Sequence, residues 1–294
     1  MPIPRKQNKS TDHEIRRVIS VCTAKHVPVW RVASTKLVEF VDSREFVVIV
    51  PDHEVEVFKR VTPAEISVTS EAKFTSQIEP LLKPKFSSRN KNRYGWYLQQ
   101  FIKLAALAES KSDETYLIWD ADTVPLKTLS FQTPTGLSYY RATENHTPYF
   151  NSIRKLLGLE KITPHSFIAQ CFPIKGNWMH EFITLIETRN EADWLKAIAD
   201  NVDFNEISGF SEYETLGTFI THRYPEEISY SDSKWLRLAN SAIGGIHKIN
   251  KPLSKFILKP YDFAAFEIGD KPSISKQTKH LFNRLIESAN PSNS

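Results

Sequence analysis

Cysteine is nearly absent: Cys22 and Cys171 are the only two in 294 residues. Two thiols cannot build a disulfide framework, so a disulfide-stapled scaffold is excluded and a reducing, cytoplasmic setting is expected. Glycine is scarce as well, at nine residues. With it go the glycine-rich phosphate cradles. Neither a Walker A loop nor G-x-G-x-x-G occurs, which argues against P-loop hydrolysis and dinucleotide-dependent oxidoreduction. No G-x-S-x-G elbow supports a serine hydrolase. The absence of H-E-x-x-H and C-x-x-C argues against a zinc peptidase or a structural zinc. No apolar run approaches the roughly 20 residues of a membrane span. The opening MPIPRKQNKSTDHEIRR lacks the apolar core of a secretory signal, which again leads one to expect a cytoplasmic protein.

What is present is an ordinary globular composition, 40% hydrophobic and 24% charged, long enough to bury a full core. The net charge of +4 comes from 38 basic against 34 acidic residues. That excess is too small and too spread for a nucleic-acid stripe, so no nucleic-acid partner is expected. Arg5, Lys6, Lys9, Arg16 and Arg17 crowd the N-terminus. They read as a solvated end, or as a peripheral contact with the anionic inner face of a membrane.

Along the chain, strand-like and helix-like segments alternate. Residues 18–23 (VISVCT), 45–50 (EFVVIV), 65–69 (EISVT) and 116–119 (YLIW) read as buried strands. Residues 28–40 open on Pro28 and 96–108 carry helical apolar spacing, so both read as helices. Such alternation predicts an α/β sheet with parallel pairing and helices on both faces. Helices are expected around 178–188, 192–199 and 212–219, with loops dominating after Tyr224. The predicted organisation is a flexible basic segment over 1–15 and a single domain over 16–275. Within it, 16–126 would form a nucleotide-binding half and 127–275 an acceptor-side subregion. A C-terminal helix and tail would span 276–294.

In parallel α/β sheets ligands bind at the carboxyl ends of the strands. Thr23 and Lys25, Asp52, and the pair Asp120 and Asp122 arrive there. Asp120-Ala121-Asp122 follows the fourth strand directly. In extended chain, positions i and i+2 face one side, so both carboxylates are candidates for one Mg²⁺ or Mn²⁺. A solvated acidic turn would give the same letters. Upstream, Arg93, Gln100 and Lys103 share a helical segment and could meet a phosphate or a hydroxylated ligand; an ordinary polar helix stripe is the plainer reading. Ser211 and Glu214 fit a capping box, which gives Glu214 a structural task and leaves Glu212 as the free carboxylate of the first turn. A carboxylate fixed beside a cleft can act as general base toward a sugar hydroxyl. His247 is a candidate third metal ligand or phosphate contact with Lys248 beside it, or else a surface histidine.

These blocks together resemble a GT-A-type glycosyltransferase, with a Rossmann-like mixed sheet flanked by helices. The blocks are VISVCTAKH, the VPD end of the second strand, RYGWYLQQFIKLAAL followed by YLIWDADTVPL, and GFSEYETLG. More narrowly, they are similar to a group of bacterial glycosyltransferase-like proteins that join R-x-G-W-x-x-Q-Q-x-x-K-L to D-x-D and S-E-Y-E. The resemblance implies a nucleotide-diphosphate sugar donor, UDP by default, with Mn²⁺ or Mg²⁺ held on the diphosphate by Asp120 and Asp122. It implies Glu212 as base with Glu214 in reserve, His247 completing the metal shell, and Asp52 on the base or ribose. It further implies a glycan or lipid-linked glycan acceptor, surface polysaccharide synthesis, and inversion at the anomeric carbon. A sugar-phosphate nucleotidyltransferase lacks its glycine-rich loop here. A metal-dependent phosphatase or nuclease, or a non-catalytic carbohydrate-binding protein on the same fold, remains compatible with the same residues.

Overall fold

A computed structural model of the chain describes residues 14–87 and 90–289. Arg5, Lys6 and Lys9 and the last five residues lie outside that range. The first half runs β1 (Ile15–Val21), α1 (Val27–Phe40), β2 (Ser43–Val50), α2 (Val55–Val61), β3 (Ile66–Ser70), α3 (Ala72–Leu82), α4 (Tyr94–Ala108) and β4 (Thr115–Trp119). Then come β5 (Thr123–Pro125), β6 (Gln132–Thr133), β7 (Gly136–Tyr139), α5 (Thr147–Leu157), β8 (Cys171–Lys175), α6 (Gly176–Asn190), α7 (Trp194–Asn201) and α8 (Glu212–Arg223). The last stretch holds β9 (Ile228–Tyr230), β10 (Lys234–Leu236), α9 (Ala239–Ile243), α10 (Pro252–Leu258), β11 (Tyr261–Ala265) and α11 (Ile274–Ala289).

The main sheet has the order β3-β2-β1-β4-β8. The first four strands pair in parallel, as their near-continuous apolar letters predict. The pleat sends alternate residues to opposite faces. Ile19, Val21, Ile49, Tyr116 and Ile118 enter a core shared with α3, α4, α6, α7 and α8. Val18, Val48, Val50, Leu117 and Trp119 enter a second core under α1 and α2. Pro28 sits in the first turn of α1, where its missing N–H costs nothing.

The strand β8 departs from the parallel pattern, pairing antiparallel with β4 from Trp119–Cys171 to Thr115–Lys175. The chain leaves β4 through β5, β6, β7 and α5 before returning, so no crossover helix forces a parallel approach. The region after Tyr224, expected to be mostly loop, is structured. There β11 pairs with β10 and, antiparallel, with β5, just past the aspartate pair. A third apolar cluster, with Val124, Ile257, Leu258 and Phe266, fills the space around them. Among the described residues, no helix is long and apolar enough to cross a membrane.

Phe172 ties the sheet to the site. It is fully buried and its ring stacks on Tyr213 of α8 at 6.0 Å. Phe172→Ala should therefore cost about 3–5 kcal/mol in chemical denaturation, a cavity effect. Ile162→Ala, at a 59% exposed position, should stay within about 0.5 kcal/mol of the parent. Equal effects at the two positions would contradict this core assignment.

Candidate active site

A cleft of about 610 Å³ opens at the carboxyl ends of β1 and β4, where the sequence places its polar residues. Thr23, Lys25 and His26 line it from the β1 side, Arg93, Gln100 and Lys103 from α4, and Asp120 and Asp122 from the turn after β4. Glu212 and Tyr213 line it from the start of α8.

Its floor is a buried ion cluster. The Lys103 ammonium lies 2.5 Å from Asp120 Oδ1 and 2.7 Å from Glu212 Oε1. It also donates to the Tyr213 hydroxyl at 3.3 Å and sits 4.6 Å from the centre of that ring. Tyr213 in turn donates to Asp120 Oδ1 at 2.6 Å. Burial works against the charge on Lys103, but Asp120 and Glu212 outweigh it and raise its pKa above the usual lysine value. Burial raises the Glu212 carboxyl, only partly offset by Lys103.

The helix α4 is placed by its own motif. Tyr97 donates to the Glu206 carbonyl at 3.0 Å and accepts from Gly209 N–H at 2.7 Å. A Cβ at Gly209 would meet the Asp203 carbonyl oxygen at 2.2 Å, so only glycine allows this approach. Gln100 accepts from the Glu212 N–H at 3.1 Å and so fixes the first turn of α8. Arg93 caps α4, stacks over Trp96, and donates to the Ile207 carbonyl and Ser208. Gln100 thus spends a hydrogen bond on the start of α8, and Arg93 on the loop before it, as well as lining the cleft.

The aspartates sit in a tight turn, not in extended chain: Thr123 N–H donates to the Asp120 carbonyl at 3.0 Å. Asp120 turns to Lys103. Asp122 is pushed up to about 7, chiefly by burial, then by Asp120 and Glu267. Ser211 caps α8 as its letters predict, accepting from Glu214 N–H. The Glu214 carboxylate is directed away from the cleft. It takes Lys161, the Ser166 hydroxyl at 2.8 Å and Phe167 N–H at 3.1 Å, pinning the segment before β8.

Asp52, His247 and Lys248 do not line the cleft. Asp52 and His247 are exposed; beside Asp52 it is Glu54 that reaches back to Ala24 N–H at 2.7 Å. Among the cleft residues that the sequence did not single out are Glu144, Gln170, Arg237 and Glu267. Arg237 binds Glu144 and, at 2.8 Å, Glu267. Gln170 is buried, holds φ at 66°, and its carbonyl accepts from Asp120 N–H at 2.9 Å. Its one advance signal is a lone polar letter inside the apolar run 167–174.

The cleft lining carries Lys25, Arg93, Lys103 and Arg237 against Asp120, Asp122, Glu144, Glu212 and Glu267. An added cation would favour any polyanionic ligand entering this slightly acidic lining. Among the described residues, no three His, Cys, Asp or Glu side chains form a metal cluster. Asp122, with Asp120 beside it, nevertheless suits a hard cation that takes its remaining ligands from phosphate and water, as Mg²⁺ commonly does. The residues fit such an ion as a partial site.

The architecture is that of the GT-A glycosyltransferase fold. The apo structure of mouse xyloside xylosyltransferase 1 superposes with a TM-score of 0.50 at 14% identity, covering 87% of this chain and 99% of that one. The galactosyltransferase LgtC, solved with donor and acceptor sugar analogues, gives 0.44 at 10% identity over 91% of this chain and 95% of its own. No curated protein matches the sequence significantly. The chain belongs to the family of unknown function DUF6492, whose profile matches residues 24–227.

Lys103→Met strips the counter-charge from the buried Glu212 and the partly buried Asp120. It should cost about 3–5 kcal/mol at neutral pH, and less in acid, where Glu212 takes up a proton. A loss that does not shrink on acidification would sink the charge argument. Asp122 gives a second test in chelator-treated protein. Its pKa rises from 3.8 to about 7 on folding. The folded state therefore holds a proton that the unfolded chain has released, and stability falls as pH rises across that window. Asp122→Asn should narrow the stability difference between about pH 5 and about pH 8. An unchanged difference would count against the buried, proton-holding carboxyl.

Proposed function

We propose that this protein is a metal-assisted glycosyltransferase that moves a sugar from a nucleotide-diphosphate donor, a UDP-sugar by default, to a hydroxyl of a glycan or lipid-linked glycan. The observation that carries the reading is the meeting of Asp120, Asp122, Lys103 and Glu212 in one cleft at the strand ends of a GT-A fold. Thr23 and Lys25 would line the nucleotide side. Lys25 is an exposed cation with no ion-pair partner among the described residues, free to meet phosphate. Asp122, with Asp120, would hold Mn²⁺ or Mg²⁺ on the diphosphate, where the ion would offset charge on the leaving group.

Lys103 keeps Glu212 ionised in a buried setting where its basicity is raised. In this reading Glu212 accepts the proton of the attacking hydroxyl, giving inversion. Glu214, bound to Lys161, Ser166 and Phe167, serves structure. His247 and Lys248 have no part in the proposed chemistry. Synthesis of a bacterial surface polysaccharide is the setting proposed from the motif resemblance.

A thermal-shift titration with UDP, GDP and CDP, each with and without Mn²⁺, tests the reading. One nucleotide should raise the melting temperature, by the equivalent of about 2.7 kcal/mol at a hundredfold excess over its Kd. The Mn²⁺-dependent part should vanish in Asp122→Asn. Glu212→Gln should keep the nucleotide shift while transfer falls roughly 100-fold or more. No shift with any of the three would defeat the donor assignment, and a product that retains the donor anomer would defeat the base assignment.

A further inference from the structure

Half of the ten exposed large hydrophobic residues of the described chain sit on α10 and α11, away from the cleft. On α11, Ile274, Phe282, Leu285 and Ile286 are 84%, 61%, 53% and 47% exposed. At 3.6 residues per turn they fall within about a third of the helix circumference. The inward side is already used. Leu281 packs on the cluster of Ala239 and Ile257, and Arg284 donates to the Phe256 carbonyl at 3.3 Å with its guanidinium over the Phe256 ring. The neighbouring α10 adds Leu253, 52% exposed.

The charge around this face is predominantly positive. Between residues 245 and 289 the chain carries eight Lys and Arg against four Asp and Glu, which equals the whole net charge of +4. Lys251, Lys255, Lys259, Lys271, Lys276 and Lys279 are exposed, and none has an ion-pair partner among the described residues. Lys279 stands one turn from Phe282 and two from Ile286, beside the apolar stripe. Lys255 and Lys259 rim a separate groove of about 310 Å³ that includes Leu258 and Tyr261.

We propose that α11, with the lysines of α10, docks the protein onto an anionic lipid surface. The helix lies in the plane of the membrane, its apolar stripe among the acyl chains and its lysines on acidic headgroups. A lipid surface is the occupant this face fits because it supplies an apolar layer and negative charge together. A second copy would set two basic faces against each other. Residues 1–13, with Arg5, Lys6 and Lys9, bear the same sign.

Co-sedimentation of the full chain with vesicles tests this independently of any enzymatic reading. The protein should pellet with equimolar phosphatidylcholine and phosphatidylglycerol and stay in solution with phosphatidylcholine alone. Phe282→Ser with Ile286→Ser, and separately Lys276→Glu with Lys279→Glu, should each lower partitioning about tenfold or more. The melting temperature and the nucleotide response should be unchanged. Equal binding to both vesicle types, no pelleting, full binding by either double variant, or a dimer that Phe282→Ser dissolves would each overturn the proposal.

Discussion

One ammonium group organises the centre of this protein. Lys103 is nearly inaccessible, and burying it alone would be prohibitive. It is tolerated because Asp120 comes from the end of β4 and Glu212 from the start of α8, so three separate elements must meet for the charge to be paired. That condition aligns α4, the aspartate turn and α8. Gln100 repeats the constraint through the backbone, by accepting from Glu212 N–H one turn earlier on α4. Such a cluster adds less stability than an apolar core of equal volume would. What it sets is geometry: two carboxylates and a phenol held at hydrogen-bonding distance on the cleft floor.

The legible part of this protein is its first half. Runs such as EFVVIV and YLIW have only one place to go, the middle of a sheet covered on both faces, and the structure puts them there. The R-x-G-W-x-x-Q-Q-x-x-K helix was readable because its apolar letters follow the helical period. Arg93, Gln100 and Lys103 of this motif line one space with Asp120, Asp122 and Glu212. Their mutual pairing was not readable. Lys103 and Asp120 could each be read as facing a ligand, and only the fold shows that they face each other.

The second half hid its contribution for a different reason. Its strands are two to five residues long and, β5 and β8 apart, only partly buried, so neither period has room to show. The pairing of β11 with β5 is nonetheless what brings Glu267 beside Asp122, with Phe266 N–H donating to the Asp122 carbonyl at 2.8 Å. Arg237 enters by the same route, next to β10. The acidic letters of 262–270 carry no motif, and a contact across about 145 residues of chain leaves no local trace. His247 illustrates the converse. Its letters suggested a ligand, but the turn at 246–248 presents it to solvent outside the cleft lining.

These two halves give the cleft opposite electrostatic ends. On the α4 side Asp120 and Glu212 share the Lys103 ammonium and the floor is closed by hydrogen bonds. On the β11 side Asp122 has no ion-pair partner among the described residues, and burial, then repulsion from Asp120 and Glu267, lifts its pKa toward neutrality. A group in that state gains most from an arriving positive charge, because binding removes the repulsion as well as adding attraction. In the proposed reading, the same asymmetry separates tasks along the cleft. The unmatched end suits a cation that accompanies a diphosphate. The matched end keeps Glu212 charged without solvent, which is the condition a buried proton acceptor requires. Losing Lys103 would therefore disturb both ends together: Asp120 would lose its partner and add repulsion to Asp122, while Glu212 would take up a proton.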